Sequence, residues 1–348
     1  MCCCCWLACW AGAGCARHNP SDSITFILGD DRYAANPYYA RAEACYRQNH
    51  TPNLVTHCRS LRAVEDYLVQ HRLVGRPWDT IHLVVHGNAW TGMGLPVLPG
   101  DSARTTPATL AAAQAAGLLP PLPDRVVNER TVITLHGCAL GRDTALLLAL
   151  SQALGAGRHC PKVVSTRLFN LYEADGGTIR QCLADFWYVN YPTYQRPSDS
   201  LLARNLAGKH PGTDLDWAGA LQRRRPRWTG DAYWRLVVVP VQWAVTYPDS
   251  AARPALDSPE AQQRWLAGQT GLQAAIARMG LDAAGFRWSF RTENLRFDDG
   301  ATEPAIVVEG QTSVCCVLQE APAAGRGKTY FTIAQYQKPK WSNLFCLR

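Results

Sequence analysis

Asp79–Val85 reads DTIHLVV and runs directly into His86-Gly87; further on, Thr131–Leu135 reads TVITL and runs into His136-Gly137-Cys138. Each is a short run of aliphatic and β-branched residues, the pattern of a strand buried on both faces, as in a parallel sheet covered by helices. The surroundings repeat the alternation. SITFIL at 23–28 reads as a strand ending at Gly29-Asp30-Asp31, followed by a helix over 39–48 and a strand over 53–58. Leu61, Val64, Leu68 and Leu73 lie near helical spacing, which predicts an amphipathic helix over 61–73. Residues 88–130 are rich in Gly, Pro and Ala, with a helical patch near 111–116. A helix over 143–154, a strand over 162–168 and a sixth strand over 185–191 complete the series. Alternating strands and helices of this kind define the α/β class.

Beyond residue 192 the pattern changes. Residues 193–226 are polar and broken by Pro and Gly, as in a connector. Trp234–Tyr247 is β-prone but interrupted by Pro240, which suggests an edge strand or a break. A helix over 258–279 and strands over 286–297, 305–319 and 329–337 follow. The expected division is a leader at 1–17, an α/β domain at 18–192, a connector at 193–226 and an α+β domain at 227–348.

Apolar residues make up 47% of the 348 and charged residues 18%, enough to bury a core and too apolar for a disordered chain. The net charge of +7 is spread along the chain. Its one dense run, Arg223, Arg224, Arg225 and Arg227, reads as a solvated face, so no nucleic-acid partner is expected. The strongly apolar stretches at 144–150 and 236–245 fall short of the about 20 residues of a membrane-spanning helix. Six of the fourteen cysteines lie in the first fifteen residues, a segment without charge. Gly12-Ala13-Gly14-Cys15 resembles a bacterial lipoprotein signal, although Gly12 stands where Leu is usual and the basic start is missing. Direct acylation of the clustered cysteines is the alternative tether. The expectation is therefore export or membrane anchoring, at the periplasm or cell surface. The other eight cysteines contain no CxxC pair, so neither a zinc ribbon nor a dithiol redox motif is expected, and no metal or cofactor.

In a parallel sheet, sites gather at the carboxyl ends of the strands. If the strands ending in His86 and Cys138 are neighbours, about 4.8 Å apart, an imidazole and a thiol face each other at their tips. A free thiol near pKa 8.5 is mostly protonated at neutral pH and needs such a base to become a nucleophile. Gly87 lets backbone approach a substrate carbonyl, and the N–H groups of Gly87 and Cys138 would form an oxyanion hole, worth about 3 kcal/mol per donor. His136 is a rival base whose direction diverges from Cys138. His82 and His57-Cys58 read as structural, Asp143 as a helix cap, and Trp90, Gly92 and Gly94 as a cleft lining or a sheet-edge seal.

A hydrophobic strand ending in His-Gly, followed 52 positions later by one ending in a small residue and Cys, resembles the caspase-like (clan CD) cysteine peptidases. Gly137 before Cys138 looks most like separase and the self-cleavage domains of bacterial toxins. The segments IHLVVHGNAWTGMGL and ITLHGCALGRD also look like a related domain of unknown function in bacterial adhesins. The resemblance covers 23–192 and implies a three-layer sandwich on a mainly parallel sheet. It further implies a His86/Cys138 dyad, a polypeptide substrate, and a specificity pocket built partly by the loop Gly29-Asp30-Asp31-Arg32. Asp30 and Asp31 there favour a basic substrate residue, Arg32 an acidic one; the balance leans to basic. The alternative is a catalytically silent module of the same fold, used for protein–protein binding or surface presentation.

Overall fold

The computed structural model describes residues 22–31, 37–155, 157, 159–175, 178–224, 231–296, 300–320, 330–331 and 345–347. The leader at 1–17 and Arg32 lie outside them. In chain order the first elements are β1 (Ser23–Ile27), α1 (Tyr38–Gln48), β2 (Leu54–Val55), α2 (Leu61–Gln70), β3 (Thr80–Val84), the hairpin strands β4 (Gly87–Asn88) and β5 (Gly92–Met93), α3 (Pro107–Ala115), β6 (Val132–His136), α4 (Thr144–Leu154) and β7 (Lys162–Thr166). Strands β2, β1, β3, β6 and β7 lie side by side in that order, all parallel.

The chain order explains the layering. It moves from β1 outward to β2, then back across β1 to β3 and on through β6 to β7. Right-handed crossovers put helices on opposite faces whenever that direction reverses. Accordingly α1 covers one face, where Tyr38, Tyr39, Ala42 and Tyr46 pack on Ile27 and Val84. The helices α2, α3 and α4 cover the other, through Leu61, Val64, Leu68, Leu110, Leu146 and Leu150 against Phe26, Leu83 and Leu135.

The remaining elements are β8 (Phe169–Asp175), β9 (Thr178–Pro192), α5 (Asp199–Lys209), α6 (Trp217–Gln222), β10 (Tyr233–Thr246), α7 (Pro259–Gly268), α8 (Thr270–Arg278), β11 (Arg287–Arg296), β12 (Thr302–Glu320), β13 (Tyr330–Phe331) and β14 (Phe345–Leu347). β14 runs antiparallel along β7, at the edge of the first sheet. The others form an antiparallel sheet centred on β12, with β10 along one side and β11 and β9 end to end along the other. The sixth strand expected over 185–191 therefore exists within β9 but belongs to this second sheet, pairing Val189 with Cys315 and Tyr188 with Cys316. Its alternation misled the reading: Phe186 faces one core and Val189 and Tyr191 another, as a strand sandwiched between two layers requires.

Residues 193–226, read as a connector, carry two helices. Ser198 caps α5 and Asp216 caps α6, each accepting a backbone N–H. Leu202, Leu206, Trp217 and Leu221 bury one face of the sheet. The opposite face is covered by Leu266 of α7 and by Leu272 and Ile276 of α8. The helix expected over 258–279 is broken at Gln269, whose backbone (φ −83°, ψ 75°) leaves the helical region. β10 runs unbroken through Pro240 as an edge strand, where a residue without an N–H is tolerated. Among the described residues no helix is long and apolar enough to cross a membrane.

Glu65 of α2 is 2% exposed and neither carboxylate oxygen has a hydrogen bond. Burial pushes its pKa up to about 8, against the weaker pull of Arg62, 3.9 Å away. The folded chain thus keeps a proton that the unfolded chain releases above about 4.5, so this group lowers stability progressively from there to about pH 8. Glu65→Gln is expected to remove that slope. In urea unfolding, the stability difference between variant and parent should grow by up to about 1.4 kcal/mol per pH unit between pH 5 and 8; a constant difference would contradict a protonated Glu65.

Candidate active site

The last rung shared by β3 and β6 is Val84 opposite His136. His86 and Cys138 each lie two residues beyond it, on neighbouring parallel strands. β1 and β3 are also paired, Ile27 opposite Val84, so the loop after β1 opens at the same end. The chain leaves β1 toward β2 and returns to β3, so the sheet order switches between β1 and β3, next to His86 and one strand away from Cys138.

Local sequence shapes both tips. After His86 the chain folds back: Gly94 N–H donates to His86 O at 2.6 Å, and Asn88 Oδ1 accepts from the N–H groups of Trp90 and Thr91, a side-chain-closed turn that joins β4 to β5. Trp90 Nε1 donates to Met279 O at 3.0 Å, tying the hairpin to the end of α8. At the other tip a Cβ on residue 137 would stand 2.5 Å from Leu140 Cδ1 and 3.0 Å from Val85 O, so any larger residue before Cys138 must push the buried Leu140 aside. Ala139 then adopts φ 55° and ψ 18°, a left-handed conformation uncommon for alanine and a form of strain that clusters at functional sites. A 3-10 turn at Leu140–Arg142 leads into α4, and Asp143 Oδ1 accepts from Leu146 N at 3.0 Å, the expected cap.

His86 lies against the tyrosines of α1, stacked on Tyr38 at 4.4 Å between centroids and edge-on to Tyr39 at 4.7 Å. Its backbone N–H donates to Tyr39 Oη at 2.9 Å. Burial lowers its pKa, with Asp31 acting in the opposite sense and Arg104 in the same one. The Asp31 carboxylate accepts from Tyr39 N at 3.2 Å and Ala40 N at 2.8 Å, in the first turn of α1, where Pro37 offers no capping side chain. Asp31 is thus beside the imidazole but engaged with the helix; Asp30 is exposed.

Cys138 is half-buried against a cluster containing Trp90, Phe169, Phe186 and Cys316. Its Sγ donates to Asn170 O at 3.5 Å. Burial pushes the thiol up to about 11, only partly offset by the backbone of Asn170 and by the positive charge of Arg235. No hydrogen bond joins Cys138 to His86 among the described residues. The backbone N–H of Cys138 likewise donates to none of them, whereas Gly87 is drawn into the hairpin opposite Met93.

His136, the rival base, is 1% exposed and bonded to His82, Nε2 to Nδ1 at 3.0 Å, beneath the Tyr46 ring. Both histidines belong to the sheet interior. Cys58 is buried and bonds Ala63 O, and His159 sits at the surface beside Glu129 and Asp124. No three His, Cys, Asp or Glu side chains among the described residues gather closely enough to hold a metal ion. Sequence reasoning missed Tyr38, Tyr39 and Asn170. The tyrosine pair opening a helix directly after the Asp-rich loop was the available signal; Asn170 had none, since its role depends on β8 lying in the second sheet. Comparison of the chain with family models, with curated proteins and with solved structures finds no match.

Two measurements follow from these environments. Site-resolved alkylation of Cys138 by iodoacetamide should rise steadily from pH 7 to 10, as expected of a thiol near 11; a plateau below pH 8 would mean that the imidazole already holds the thiolate. Burial, then the neighbouring His82, keep the His136 pKa well below the usual imidazole range. Below about pH 6.5 the unfolded chain takes up a proton that folded His136 refuses, so the stability is complete above that pH and drains away beneath it. His136→Gln should flatten the loss measured by urea unfolding between pH 6.5 and 5; an unchanged slope would exclude His136 as its source.

Proposed function

We propose that the protein is a cysteine endopeptidase, with Cys138 as nucleophile and His86 as general base, acting on a polypeptide substrate. The observation that carries this reading is the shared rung: both residues follow Val84 and His136 by two positions at the carboxyl ends of paired parallel strands. The helices on both faces agree with the three-layer caspase-like sandwich that the sequence resembles, and the unengaged Cys138 N–H suits an oxyanion donor. With the thiol raised and the imidazole lowered, both groups are neutral at pH 7. The Sγ proton then passes to the His86 ring as sulfur attacks the carbonyl carbon. The same proton leaves on the departing amine as the C–N bond breaks, and water hydrolyses the thioester. The imidazole must turn from the Tyr38 face toward Cys138 for this step.

Asp30 and Asp31 support a basic residue at the cleaved bond, through the loop beside His86. A second reading, a silent module that presents a binding surface, is favoured by one specific observation: the thiol donates to Asn170 O and not to the imidazole.

Labelling with a peptidyl acyloxymethyl ketone carrying Arg, in parallel with one carrying Asp, separates the two. Cys138 should be the residue modified, Cys138→Ala should abolish labelling, and His86→Ala should slow it by about 100-fold or more. Folded protein that neither reagent modifies at Cys138 would favour the silent module.

A further inference from the structure

A cleft of about 410 Å³ opens where the turn after Cys138 meets the antiparallel layer. Three arginines line it from three separate segments: Arg142 in the 3-10 turn, Arg167 just after β7 and Arg278 at the end of α8, with Thr144, Tyr188 and Trp90 between them. Arg142 is held in place, its guanidinium 4.1 Å above the Phe186 ring and its Nε bonded to Arg167 O at 3.1 Å. The guanidinium groups of Arg167 and Arg278 have no hydrogen bond or ion pair among the described residues and reach into solvent. Lys209 adds a fourth cation, 3.9 Å from the Tyr188 ring and bonded to Gly280 O. Two carboxylates oppose them, Asp185 toward Arg142 and Asp282 toward Lys209. The cleft therefore keeps an excess of positive charge, with the guanidinium donors of Arg167 and Arg278 uncommitted.

We infer that this cleft binds a compact oxyanion carrying two or more charges, either a phosphate compound or a di- or tricarboxylate, gripped by Arg142, Arg167 and Arg278. Guanidinium forks match both oxyanions in two-point geometry, and like charges gathered from three segments repel one another until such a ligand neutralises them. Neither His86 nor Cys138 lines the cleft, so the inference does not depend on the dyad. Because its walls come from the parallel-sheet tips and from α8, an occupant would clamp the two layers together, and binding to the folded state alone raises thermal stability.

Thermal unfolding and titration calorimetry of the whole chain with pyrophosphate, and in parallel with citrate, test this against sodium chloride at matched ionic strength. A saturable rise in Tm with either probe is expected, with the dissociation constant weakened about tenfold or more in Arg167→Ala and in Arg278→Ala. These exposed side chains support no packing, so both variants should fold with parental circular dichroism. Pyrophosphate alone would assign a phosphate ligand, citrate alone a carboxylate, and both a site selecting on charge. A shift that sodium chloride reproduces, or that survives in the Arg167→Ala/Arg278→Ala double variant, would overturn the proposal.

Discussion

A slip of one residue between β3 and β6 would undo this protein. Side chains of a strand alternate faces, so a slip exchanges inside for outside along the whole strand. Here it would also break the His82–His136 bond, leaving two buried imidazoles without each other. The Val84–His136 rung fixes the register. From it follow the level of His86 and Cys138, the meeting of Gly137 with Val85 O, and the reach of the loop after β1.

The second sheet changes what the strand tips can be. Cys138 faces apolar side chains and the carbonyl of Asn170, so the environment that shields the thiol also holds its proton. His86 is shielded by a different group, the tyrosines opening α1. The two halves of the candidate dyad are thus each solvated by a separate layer of the molecule. Their chemistry depends on how the antiparallel layer and α1 are seated, more than on the sheet that carries them.

Much of the first sheet was legible because parallel strands buried on both faces leave unbroken apolar runs. SITFI, TIHLV and VITLH each appear within a residue or two of the expected bounds, and Ser60 and Asp143 mark their helices as local caps do. β9 was recognised as a strand but attributed to the wrong sheet, because pairing with residues 312–320 is a long-range choice that alternation does not record. The helices α5 and α6 were hidden by Pro and Gly around them, although Leu202 and Leu206 lie four apart. At the site, residue identities and spacing placed His86 and Cys138 at adjacent tips. Whether their side chains converge depends on Tyr38 and Asn170, which nothing in the local pattern points to.

Residues 236–246 of β10 carry no charge, and Leu236 and Val238 are 48% and 47% exposed along an open edge. Such an edge is a template for another chain, and natural sheets blunt it with charge, bulges or proline. Between residues 236 and 246 Pro240 does so, at the middle of the strand. A proline has no N–H to offer an added strand, which shortens the run of donors along this edge. A single imino acid therefore limits how long a strand could be added along the β10 edge.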